Sequence, residues 1–171
     1  MKLKALCIAV SLLAVPGVAA AQSPLDSIKK AAGDAGKSTV EKRVNTKLTD
    51  EAKKNQCSFK TGTAELAPGC DGKLKKLASA LIDAKKQLTS AGVKTYKFEV
   101  SGHTDSTGDA AKNKQLSEQR AEAIVKELVA RGISRGEIIA VGLGADRPLV
   151  TPDNTEAKKA KNRRYELQVR L

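Results

Sequence analysis

The chain has 171 residues, a formal net charge of +12, 29% charged residues and only 2% aromatic ones, with no tryptophan. That length accommodates one domain with a modest core, and so few aromatic side chains leave little to stack on bases, which argues against nucleic acid as the partner of this basic surface. Beyond the first residues, no segment approaches the roughly 18 apolar residues that a membrane-spanning helix requires.

Residues 1–21 read as an export signal. Lys2 and Lys4 form a positive start, Ala5 to Val15 is an apolar run too short for a bilayer, Pro16-Gly17 breaks it, and Ala19-Ala20-Ala21 supplies a small-residue cleavage pattern. Cleavage is expected before Gln22, giving a soluble, exported product. Cys7 follows Lys4 by three residues, so no apolar run precedes it; it cannot serve as a lipid acceptor and leaves with the signal. Losing Lys2 and Lys4 lowers the net charge to +10. Outside the cytoplasm the nearest polyanions are the cell wall and lipid head groups, and a solvated surface without a partner is the alternative.

Residues 22–55 are rich in lysine and lack aromatic residues. Leu25, Ile28 and Ala32 make a weak helical stripe, Gly33 and Gly36 interrupt it, and Val40, Val44, Leu48 and Ala52 make a second. Ser38 with Glu41 reads as a capping box for that second helix. The segment is expected to be a partly helical tether, with a partner-binding helix or packing back on the domain as alternatives.

From residue 56 to 171 the pattern is that of a compact α/β (α+β) domain, a mixed four-stranded sheet with helices packed on it. A short strand is expected near Cys57 to Lys60. A helix over about Gly72 to Ser90 follows, with Leu74, Leu77, Leu81, Ile82 and Leu88 on one face and Gly92 ending it. Tyr96, Phe98 and Val100 alternate as a strand; a helix over roughly 112–131 stops at Gly132; Glu137 to Leu143 is a further strand. A turn-rich stretch with Gly144, Pro148, Pro152 and Asn154 leads to a short helix over Glu156 to Lys161. Tyr165, Leu167, Val169 and Leu171 alternate as the last strand. Cys57 and Cys70 enclose a short loop with Gly62, Pro68 and Gly69, and in an oxidising compartment a disulfide is expected, contributing about 3 kcal/mol in the chain-entropy account. Two buried free thiols are the alternative, and without a neighbouring histidine the pair makes a poor zinc site.

The residues that point to function lie between 99 and 121. At about 100° per residue, Ile124 and Leu128 define the buried face of the 112–131 helix, and Arg120 falls within about 40° of Ile124. Asn113 and Ser117 share that stripe, so its first half is polar where its second half is apolar. A ligand could occupy that position. Alternatively Arg120 lays its methylenes on the core and sends its guanidinium to solvent, or pairs with Asp105 or Asp109 in the preceding turn. His103, the only histidine, has no nucleophile placed at a strained turn nearby and reads as a core-edge residue rather than a catalytic one. Asp105 and Asp109 with Gly108 lack the alternating oxygen ligands of a calcium loop, so no metal is expected.

Gly102-His103-Thr104-Asp105 with Gly108 resembles the G-H-T-D-x-x-G turn of the OmpA-like family, and Asn113, Leu116-Ser117 and Arg120-Ala121 resemble its N-x-x-L-S-x-x-R-A helix. Gly132-Ile133, Gly142, Gly144, Pro148 and Asn162-Arg163-Arg164 fall where that family has equivalents, while Lys158-Lys159 stand where many members have Gly-Arg. The resemblance spans 56–171 and implies non-covalent binding of peptidoglycan through the diaminopimelate residue of its stem peptide, with no cofactor and no enzymatic step. Carried over by position, Asp105 and Arg120 would grip the ligand, supported by Thr104, Asn113, Ala160 and Arg163. A guanidinium opposite a carboxylate suits a stereocentre bearing both carboxylate and amine, and the nearby helix start would offer NH groups to the same anion. The resemblance implies a periplasmic protein on the wall, associated with the outer membrane or another envelope protein. The alternative is a scaffold whose 22–55 segment binds a protein partner, with wall binding secondary.

Overall fold

The computed structural model describes residues 24–60 and 62–171; the expected signal at 1–21 lies outside them. Helices α1 (Pro24–Lys54) and α2 (Asp71–Ser90) come first, then strand β1 (Lys97–His103) and helix α3 (Ala110–Val129). A short 3-10 turn at Arg135–Glu137 leads into strand β2 (Ile138–Gly144), followed by helix α4 (Glu156–Asn162) and strand β3 (Tyr165–Arg170). β1 is the middle strand, parallel to β2 and antiparallel to β3.

The core lies between the sheet and its helices. Phe98 and Val100 of β1, Ile138 of β2 and Tyr165, Leu167 and Val169 of β3 are buried against α2's leucines and against Ile124, Val125 and Leu128 of α3. Burying each such side chain contributes about 1.5–3 kcal/mol. On α2 the buried stripe is Leu74, Leu77, Ala78, Leu81, Ala84 and Leu88. Ile82, expected on that face, is exposed; it sits about 100° from Leu81 around the helix, off the stripe.

Two glycines set how closely α3 approaches the sheet. A Cβ on Gly102 would lie 2.1 Å from the Ser117 carbonyl oxygen, and one on Gly142 would lie 2.6 Å from the Lys114 carbonyl oxygen. Only hydrogen fits there. The start of α3 therefore presses onto the ends of β1 and β2, where the Ser117 hydroxyl accepts the Gly144 amide at 2.8 Å.

Two expectations are corrected. The sheet has three strands among the described residues rather than four; the stretch near Cys57 to Lys60 forms only a single antiparallel bridge, Phe59 to Leu66. The reason is visible at the outer edge of β3. Asn45 of α1 donates its side-chain amide to the Val169 carbonyl at 3.1 Å and accepts the Val169 amide at 2.6 Å. Gln56 treats Tyr165 the same way, at 2.8 and 3.2 Å. These side-chain amides replace the pairing a fourth strand would supply.

The second correction concerns 22–55, expected to be a partly helical tether, where the alternative of packing back on the domain is the one the structure shows for its later half. α1 runs unbroken through Gly33 and Gly36, and Ser38 and Glu41 lie inside it rather than at its start. Val44, Leu48 and Ala52 are at most 2% exposed and belong to the core, with Val40 packed against it. Each mid-helix glycine costs about 1 kcal/mol relative to alanine, a cost that anchoring of the later half on α2 and β3 offsets. A boundary at residue 56 therefore cuts through one core.

The expected Cys57–Cys70 disulfide is not formed in this structure: both are buried thiols, with Cys57 Sγ 3.9 Å from the Cys70 carbonyl oxygen. The loop closes without a crosslink: the Lys60 amide donates to the Glu65 carbonyl and the Ala67 amide to the Ser58 carbonyl, both at 2.9 Å. Burial and the neighbouring Cys70 push the Cys57 thiol up to about 12.

Candidate functional site

The turn after β1 carries Thr104 and Asp105. Asp105 Oδ1 accepts the Thr107 amide at 3.0 Å, an Asx turn, and Oδ2 accepts from Arg163 Nη1 at 2.8 Å. Burial alone would raise the Asp105 carboxyl, but the Arg163 and Thr107 hydrogen bonds outweigh it and hold it below the usual carboxylate range. Arg163 bonds Glu156 of α4 through its other terminal nitrogen. Asn113, in the first turns of α3, donates to the Thr107 carbonyl at 3.0 Å and the Asp105 carbonyl at 3.4 Å. The same helix start is capped by Asp109, whose side chain accepts the Lys112 amide at 2.9 Å.

Arg120 lies two turns further along α3 and is only 8% exposed. Its Nε donates to the Thr63 carbonyl at 2.9 Å, and its Cζ sits 5.1 Å from the centre of the Phe59 ring. Both partners belong to the loop between Cys57 and Cys70. Among the described residues no carboxylate pairs with Arg120. Burial weakens its hold on the proton and Arg163 acts in the same direction, opposed by Asp105. With Nε taken by a carbonyl and one face covered by a ring, the two terminal nitrogens are the part left for an incoming acceptor. The Thr104 hydroxyl is likewise buried with no hydrogen-bond partner among the described residues.

All six residues anticipated from the sequence, Thr104, Asp105, Asn113, Arg120, Ala160 and Arg163, line one cavity of about 920 Å³. Phe59 and Leu149 add apolar wall, and Lys53 of the last turn of α1 and Gln56 just beyond it also line it. Sequence reasoning missed Phe59 and Thr63, which contact Arg120, and Asp153, which holds the cavity's rim together with Asn162, noted from the sequence only as part of a motif. Asn162 accepts the Leu149 and Val150 amides at 2.8 and 3.1 Å and donates to Asp153 at 3.0 Å. Asp153 in turn accepts the Ser106 amide at 2.9 Å and also bonds its hydroxyl. These hydrogen bonds from Ser106 and Asn162 lower the Asp153 carboxyl to about 2. The stretch before α4 is thereby fastened to the turn after β1.

His103 stands apart. It is 1% exposed, neither ring nitrogen has a hydrogen-bond partner among the described residues, and the Glu166 carboxylate is 3.8 Å away. Burial, with Arg164 reinforcing it, lowers its pKa to about 4 and keeps the imidazole neutral. It packs in the core-edge position read from the sequence and does not line the cavity.

Residues 58–163 match the OmpA family. The chain belongs to that family. Relatives include outer membrane porin F of Pseudomonas fluorescens, 48% identical over 71 residues, 42% of this chain and 22% of the porin. The peptidoglycan-binding protein ArfA of Mycobacterium tuberculosis is 43% identical over 70 residues, 41% of this chain and 21% of ArfA. The chain thus spans under a third of the length of these curated relatives. Among solved structures, the peptidoglycan-associated lipoprotein of Burkholderia pseudomallei superposes with a TM-score of 0.55 at 24% identity, covering 67% of this chain and 89% of that one. That likeness shows the OmpA-family α+β fold; the shared match begins at residue 58, so the α1 packing lies upstream of it.

Proposed function

We propose that this OmpA-family chain binds peptidoglycan without covalent chemistry, through the diaminopimelate residue of the stem peptide, and so ties the wall into the cell envelope. One observation carries the reading: Arg120 is buried in a cavity wall with its Nε and one face already engaged and no carboxylate partner among the described residues. A guanidinium in that condition is completed by a ligand carboxylate. Diaminopimelate carries one on its side-chain stereocentre, beside an amine that the Asp105 carboxylate and the unpartnered Thr104 hydroxyl suit. Thr104, Asn113, Ala160 and Arg163 shape the remaining wall. The names of the relatives, peptidoglycan-binding protein and peptidoglycan-associated lipoprotein, support the same reading.

The proposal includes export by the 1–21 segment to a periplasmic location on the wall, with the outer membrane or another envelope protein as a further partner. There the adjacent Cys57 and Cys70 thiols meet an oxidising environment, and we place their joined state in that compartment. The scaffold alternative now rests on the upstream part of α1, where Gly33 and residues 35–39 are exposed. Sedimentation with purified sacculi separates the two readings: the anchor reading requires the 22–171 chain to pellet with the wall, and loss of pelleting in Arg120→Ala. A chain that stays in the supernatant would end it.

A further inference from the structure

The cavity's charge is unbalanced in a way that one carboxylate does not satisfy. Six cationic residues line it, Lys53, Arg120, Lys159, Lys161, Arg163 and Arg164, against two carboxylates, Asp105 and Glu156. Both carboxylates are already held by Arg163, and Arg164 pairs with Glu166 at 2.6 Å. Lys53, Lys159 and Lys161 have no ion-pair partner among the described residues, and they come from two separate elements, the end of α1 and α4. A zwitterionic centre bound at Arg120 would bring a carboxylate and an amine, hence no net charge, and would leave these lysines as they were.

We infer that Lys53, Lys159 and Lys161 form a second anion subsite in the cavity, which takes a further carboxylate of the same peptide and makes the protein select wall peptides whose carboxylates are free over those in which they are amidated. The inference rests on the proposed function, because it assumes the peptide's first carboxylate lies at Arg120. Lysine suits this role. Its ammonium is a point charge on a flexible stem, which follows a mobile carboxylate without demanding a fixed planar geometry. The subsite also explains the use of α1. Its last turn places Lys53 in the cavity only because Val44, Leu48 and Ala52 anchor the helix in the core.

The test uses the 22–171 chain and two synthetic tripeptides. Both contain diaminopimelate with a free side-chain carboxylate and amine; in one the other carboxylates are free, in the other they are carboxamides. Exposed ion pairs contribute modestly each, so three lysines together should favour the free acid about tenfold in Kd at low salt, with the preference shrinking as salt rises. The combined Lys53→Gln, Lys159→Gln, Lys161→Gln variant should bind both peptides equally, with the affinity the wild type has for the amidated one. A control with Lys42, Lys47 and Lys76 changed to glutamine, all exposed and outside the cavity, should keep the preference. Equal wild-type binding of the two peptides overturns the subsite while leaving the Arg120 site standing. So does a triple variant that keeps the preference, or a control that loses it. Failure of both peptides to bind overturns the proposed function and this inference with it.

Discussion

Removing the Arg120 guanidinium is the most informative perturbation of this site. The side chain is 8% exposed, its only hydrogen bond among the described residues is the one from Nε to Thr63, and Phe59 covers one face. On the proposed function the terminal nitrogens are therefore the ligand's share. Truncating one partner of a buried charged hydrogen bond costs roughly 2–5 kcal/mol, or about 30-fold to several-thousand-fold in affinity. Arg120→Ala should lose that much on diaminopimelate-type sacculi. On lysine-type wall, which has no carboxylate at that position, it should change binding little. Arg120→Lys keeps the charge but loses the planar fork, so it should recover only part of the loss. Phe59→Leu keeps an apolar wall and removes the ring, which should weaken wall binding by the roughly 0.5–2 kcal/mol of a cation–π contact. Pelleting isotherms on both wall types, with thermal melts to confirm folding, read all of these. Equal wild-type binding to the two walls, or undiminished binding by Arg120→Ala, would refute the reasoning and leave only salt-sensitive attraction by the basic surface.

Leu48→Ala should destabilise the whole domain by about 2–5 kcal/mol, as for other buried leucines, seen as a lower urea midpoint with one cooperative transition; a tether would show no change. Protein isolated from the envelope should have the intact mass of a chain starting at Gln22 without acyl groups and with Cys57 joined to Cys70, and reduction should lower its melting temperature without altering sacculus affinity; a mass retaining Met1, or free thiols in that material, contradicts this. The Asp153 carboxyl has a folded pKa of about 2 against an ordinary 3.8, so its contribution is present above about pH 4 and is lost as pH falls toward 2. The melting-temperature gap between wild type and Asp153→Asn should accordingly be wide at about pH 7 and narrow progressively as pH falls from about 4 through about 2, and a gap independent of pH would show that the carboxylate charge does not hold the rim.

The α2, β1, α3 and β3 elements were legible because each carries a period, β2 and α4 were legible from their flanking turns, and the breaks fall at Gly92, Gly132 and the proline-rich stretch. What was not legible depended on partners distant in sequence. Glycines at 33 and 36 read as a break because local propensity is all a sequence displays, whereas the helix is held by Val44, Leu48 and Ala52 packing over one hundred residues away on β3. Likewise the missing fourth strand follows from Asn45 and Gln56, two polar residues that carry no signal of their own. Only their pairing with Val169 and Tyr165 turns them into an edge cap.

The candidate site divides along the same line. Arg120 was conspicuous because a charged residue on an apolar stripe breaks a pattern, and Asn113 and Ser117 extend that break by one turn each. Phe59 and Thr63 break nothing: an aromatic residue and a threonine in a loop are ordinary, and their role exists only once the loop folds over α3. The same holds for Asn162, legible as part of a motif but not as the residue that accepts two amides and fastens Asp153. The proposed ligand-facing groups of this cavity thus stand out as local violations of a pattern, while the groups that hold them in place obey it. Lys53 belongs to a third kind. In a chain with this many lysines a single one has no contrast, and its place in the cavity is a consequence of the α1 packing that the sequence pattern under-read.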